Sequence, residues 1–200
     1  MVALPRLAHA APPVDMDGLG RGRYARLHVK LEKTIFDVDV AALEIRVDQA
    51  TADALQRAVK GREYSKKLET EVVSAVLGAE NAYSALQFLR GFARDAFIKG
   101  IRTDLGRAYQ AKLIDKSEYQ RVYRGLPGWF GFLGDRGVKK GDNLYHRGKP
   151  EGLRSVYIDN EGQKRMDVTM PGHPPTRTLL ASYLAPEGDL REPLVRSLFD

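Results

Sequence analysis

Four histidines, His9, His28, His146 and His173, are the residues of this 200-residue chain best suited to proton transfer or metal binding. They lie far apart and form no HxxxH or HExxH pair, so their spacing gives no zinc site. Cysteine is absent, which excludes disulfides, thiolate metal sites and a cysteine nucleophile. The run Gly18-Leu19-Gly20-Arg21-Gly22-Arg23 invites a phosphate-loop reading. It lacks a preceding strand, a GK[ST] ending and the GxGxxG spacing, and reads as a flexible basic lead-in. No cofactor is implied. His28 is a candidate general base, because a free imidazole titrates near neutrality. A single histidine alternating along a strand is, however, usually solvated or hydrogen-bonded. Trp129-Phe130, flanked by Gly128, Gly131 and Phe132, forms either a plug at the end of the core or an exposed tip for a membrane or partner, and the plug is favoured.

Charge adds a second theme. The chain carries a formal +6 with a pI near 9.5, and its mean hydropathy is −0.38. Residues 84–150 hold 14 basic against six acidic residues, whereas the remainder is net −2. Such a field attracts anionic ligands, nucleic acid or acidic lipid, while the plain alternative is a solvated helical face. No nucleic-acid motif accompanies the charge, so that partner is the weakest case. No run approaches the roughly 18 apolar residues of a membrane-spanning helix.

The elements that must position these residues follow from periodicity. Leu27, Val29 and Leu31 alternate with His28, Lys30 and Glu32; Phe36, Val38 and Val40 with Asp37 and Asp39; and Leu43, Ile45 and Val47 with Glu44 and Arg46. This predicts two long strands, or one bent strand, over 26–47. Asp48 or Thr51 caps a helix running to Lys60, a second helix covers Lys67–Leu77, and Ala82–Phe92 is strand-like. Phe97, Ile101, Leu105 and Ala108 mark a helix over Arg94–Leu113, and Asp115–Arg124 makes another, with Pro127 after its end. Three short strands, Asn143–Arg147, Leu153–Ile158 and Lys164–Met170, form a meander. Helices Thr176–Leu184 and Leu190–Phe199 close the chain. The order predicts an α+β protein, an antiparallel sheet packed against a layer of helices, in one domain over 23–200. Residues 1–22 read as a disordered lead-in. Within them Ala8-His9-Ala10 resembles a signal-peptidase site, so the segment is taken as the remnant of an export signal or else a plain arm.

Three segments resemble the chalcone isomerase fold family: Phe36–Ile45, the Val138-Lys139-Lys140-Gly141-Asp142 turn into the meander, and Leu179–Pro186 followed by Leu190–Leu198. The resemblance implies an open-faced β-sandwich with a cleft between sheet and helices. In the isomerases that cleft binds a flat polyphenol, and an arginine, a threonine and a tyrosine assist cyclisation. Carried over, Arg26 lies within one position of the arginine's place, with Arg23 as a fallback, and Asp39 takes the threonine's place and Phe97 the tyrosine's. Asp104 falls near the family's asparagine, and Thr176 matches a cleft-lining Ser/Thr position. Phe97 has no hydroxyl and Asp39 would repel a phenolate, so efficient isomerisation is not expected, since losing one oxyanion donor costs about 10²–10³ in rate.

The leading expectation is therefore a non-catalytic protein of bacterial type that binds an apolar small molecule with an anionic end, such as a fatty acid. Arg26 would hold the carboxylate. The first alternative is an isomerase or intramolecular lyase using Arg26 and Thr176 on an unknown substrate. The second is a basic module on an anionic membrane surface or partner. Thr176 is expected to act chiefly as a helix N-cap.

Overall fold

The computed structural model describes residues 12–31 and 41–199. Six strands form one antiparallel sheet in chain order: β1 (Arg26–Lys30), β2 (Ala41–Val47), β3 (Ala82–Phe88), β4 (Asn143–Lys149), β5 (Gly152–Ile158) and β6 (Lys164–Pro171). Among the described residues six α-helices accompany them: α1 (Gln49–Val59), α2 (Lys66–Leu77), α3 (Arg94–Gln110), α4 (Lys116–Trp129), α5 (Pro174–Tyr183) and α6 (Arg191–Arg196). The α+β architecture expected from the sequence is what forms. Of the first predicted strand pair, Phe36, Val38, Asp39 and Val40 lie outside the described residues.

Local chemistry sets the helix ends. Asp48 caps α1 by accepting from the Thr51 amide at 2.8 Å, and its other oxygen takes the Glu80 and Asn81 amides, tying the entrance of β3 to α1. Ser65 and Asp115 cap α2 and α4 in the same way. α3 stops at Gln110, three residues earlier than its periodicity suggests, because Lys112 adopts a left-handed φ of 58°.

The helix predicted to end at Arg124 instead runs to Trp129, with Pro127 inside it. Proline supplies no N–H for the Tyr123 carbonyl. Arg102 of α3 donates to that carbonyl at 3.2 Å and lies over the Tyr123 ring, 4.1 Å from its centroid. A neighbouring side chain thus takes up the acceptor that proline leaves unbonded.

Strand register sorts the side chains into rows that cross the sheet. One inward row is Leu43, Leu86, Leu144, Tyr157 and Met166; another is Val47, Ala82, Gly148, Leu153 and Met170. Between them runs Ile45, Ser84, His146, Ser155 and Val168. Helices cover this face. α5 lies over β4 and β5 and packs against α2, α3 and α4.

The opposite face carries a smaller cluster of Tyr83, Ala85, Tyr145 and Val156, onto which Val14, Met16 and Leu19 fold. The buried Arg147 fastens that segment: its guanidinium donates to the carbonyls of Asp15, Asp17, Ala82 and Gly148. Residues 12–20 are therefore part of the packed domain rather than of an unstructured lead-in. Residues 1–11, including the Ala8-His9-Ala10 site, lie outside the described residues.

The Lys139–Asp142 turn is built around one carboxylate. Asp142, fully buried, accepts two bonds from Arg136 (2.7 and 2.8 Å), one from the Tyr157 hydroxyl (2.6 Å) and the Lys139 and Asn160 amides. At the sheet's first edge, α6 packs on β1, and the His28 amide donates to Ser197 Oγ at 3.1 Å.

Candidate functional site

The helical layer does not fill the space above the middle of the sheet. A cavity of about 110 Å³ lies over β3–β6, under α3, α4 and α5. Leu86, Leu144, Leu153, Met166, Val168 and Met170 make its floor, and Phe97, Ile101, Leu105, Val122, Leu126 and Leu179 its roof. A second space of about 250 Å³ adjoins it and shares Leu86, Phe97, Ile101, Ser182 and Tyr183 as a common wall. It runs past Phe88 and Phe92 to Arg90, Asp104 and Asp189. Together the two reach the lower end of the roughly 300–1,000 Å³ typical of small-molecule sites.

Phe97 stands on the wall that the two spaces share. Its ring meets Phe88, Phe92 and Phe130 at centroid distances of 5.5, 6.0 and 4.9 Å. Phe130 is buried, so the aromatic tip is a plug, and Trp129 lines the cavity beside it. Trp129 also explains Gly125: a Cβ there would come within 2.5–2.7 Å of the indole ring.

Arg26 sits elsewhere. Leu27 and Ile45 point inward and are fully buried, so strand alternation turns Arg26 to the outer face, where it pairs with Glu44 at 2.6 Å. It lines neither space. Asp39 lies outside the described residues. Thr176 is not the N-cap: Pro174 and Pro175 occupy the first turn of α5 ahead of it, and its own amide bonds the His173 carbonyl. Its side chain presses on Gly148 of β4, where a Cβ would stand 2.3–2.9 Å from Thr176 atoms. Gly148→Ala is expected to cost about 1–3 kcal/mol in thermal or urea unfolding, with Thr176→Ala restoring part of the loss in the double variant.

Arg90 is the basic group that the cavity does present. It follows β3, and its Nε is buried with no hydrogen-bond partner; no ion pair holds the guanidinium among the described residues. Four other basic residues of the segment are held by acidic partners: Arg107 by Asp104, Arg121 by Glu118, Arg136 by Asp142, and Lys149 by Asp15. Burial raises the Asp104 pKa, against the pull of Arg107 and with the nearby Asp189 adding to the rise. The signal for Arg90 in the sequence was a single cation inside the apolar run Leu86-Gln87-Phe88-Leu89-Arg90-Gly91-Phe92.

The inner wall also holds His146 and Ser155, with His146 Nδ1 2.7 Å from Ser155 Oγ. Burial lowers the imidazole pKa to about 3, so the ring is neutral at physiological pH. Among the described residues no cluster of histidine, aspartate or glutamate could hold a metal ion.

An antiparallel sheet in chain order, roofed on one face by helices over an apolar cavity, defines the chalcone isomerase-like fold, and this chain has it. No family model and no curated protein sequence matches the chain. Among solved structures it is similar to the Arabidopsis thaliana fatty-acid binding protein AtFAP1. The TM-score is 0.55 at 15% identity, with 100% of this chain and 99% of the other covered.

Proposed function

We propose that this protein is a non-catalytic carrier or binder of a long-chain carboxylic acid, with the acyl chain between sheet and helices and the carboxylate on Arg90. The observation that carries the reading is an apolar space lined at one end by a guanidinium with no partner among the described residues. Burying a hydrocarbon tail contributes about 0.8 kcal/mol per methylene. A charged hydrogen bond at one end fixes orientation and adds about 1.5–3 kcal/mol. Arg90 thereby takes the role the sequence assigned to Arg26, and Phe97 packs along the chain. The similarity in fold to a fatty-acid binding protein supports the same ligand class.

Trp129 is the single tryptophan and lines the cavity, so its emission reports occupancy. Palmitate is expected to change that emission saturably, and Arg90→Ala to weaken palmitate by about 10–100-fold. Methyl palmitate, which has no carboxylate, should not distinguish the two proteins. Absence of palmitate binding, or equal affinity in Arg90→Ala, would overturn the reading.

A further inference from the structure

The row Ser84, His146 and Ser155 crosses the three central strands between two apolar rows, on the cavity side of the sheet. All three side chains are buried. His146 and Ser155 satisfy one another at 2.7 Å, but no bond is made by the other imidazole nitrogen among the described residues. The Ser84 hydroxyl has no exposed surface, lines neither space, and meets the Tyr183 phenol. Tyr183 of α5 faces this row from the roof; burial raises its phenol to about 12, with the Ser84 hydroxyl pulling the other way.

We infer that the acid bound here carries an oxygen along its chain, a hydroxyl or keto group, recognised by His146, Ser155 and Tyr183, which line the cavity. The inference rests on the acyl-binding reading above. A plain hydrocarbon chain would press methylenes on this row and expel any water able to bond it. Each buried polar group left without a partner costs about 1–3 kcal/mol. A chain oxygen supplies both a donor and an acceptor, or an acceptor alone, to groups that can answer either. Because His146 stays neutral, the row suits an uncharged oxygen rather than a second carboxylate.

The position of that oxygen follows from the lining. His146 and Ser155 line the first space and Arg90 only the second, so the oxygen lies along the chain rather than beside the carboxylate. The Ser155–His146 pair is not read as a nucleophile and base, since no carboxylate orients the imidazole among the described residues.

Titration of Trp129 emission with stearate and 12-hydroxystearate tests this. The hydroxy acid is expected to bind about tenfold more tightly, and Ser155→Ala and His146→Leu to reduce that ratio below about threefold. If one variant does not fold, the other and the wild-type ratio decide. Stearate binding as well as 12-hydroxystearate overturns the chain-oxygen inference and leaves the acyl reading standing. Failure of both acids to bind overturns the acyl reading and this inference with it.

Discussion

Asp142→Ala is expected to lower stability by about 3–5 kcal/mol, read as a fall of roughly 10 °C in Tm, although the residue lines neither cavity. The carboxylate collects five hydrogen bonds from Arg136, Tyr157 and two loop amides, and its removal leaves a half-buried guanidinium with no counter-charge. Asp142→Asn keeps the shape and isolates the charge. Burial pushes this carboxyl up, but Arg136, Tyr157 and the Lys139 and Asn160 amides outweigh it and hold its pKa below 3.8. A lowered folded-state pKa gives stabilisation that is present above the unfolded value and lost as pH falls through the folded one. Urea unfolding should therefore show a constant gap between wild type and Asp142→Asn from about pH 7 to 5, closing below about pH 4. A gap that widens in acid would contradict this account.

Arg147→Ala should have an effect of similar size by a different route. Its guanidinium is buried among backbone carbonyls of two distant segments, and truncation leaves the Asp15, Asp17, Ala82 and Gly148 carbonyls without this donor. The expected loss is about 3 kcal/mol or more. It should come with local release of residues 12–20 and exposure of Tyr83, Tyr145 and Val156. Limited tryptic cleavage after Arg21 or Arg23, detected by mass spectrometry in native conditions, is the direct readout. Arg147→Lys restores the charge but not the fork, and should be cut at an intermediate rate. Equal resistance in wild type and Arg147→Ala would show that the segment is held by its apolar contacts alone.

The strands and most helices were legible because period-2 and period-3.6 patterns record burial directly, as in Leu43-Ile45-Val47 and Phe97-Ile101-Leu105. Pro127 misled because its helix-breaking cost is offset by Arg102, a residue 25 positions earlier whose proximity only tertiary packing creates. Arg26 misled for a local reason. The alternation that buries Leu27 already places its neighbours on the other face, and a family position one residue away overrode that parity. The polar row is harder to read. His146 and Ser155 occupy inward positions of their strands, but their meeting depends on the β4–β5 register, and that of Ser84 on the β3–β4 register across 54 intervening residues.

The bond from His28 to Ser197 bears on how these molecules behave towards one another. A sheet's outermost strand presents amides and carbonyls that can recruit the same strand of a second molecule. Here β1 is only five residues long, and the C-terminal helix lies against it with Ser197 occupying one of its outward amides. At the other end β6 carries the charged Lys164, Arg165 and Asp167, has an irregular register against β5, and stops at Pro171, which has no amide to offer. Both margins thus work against strand-by-strand propagation, and crowding is less able to turn this open sheet into a template.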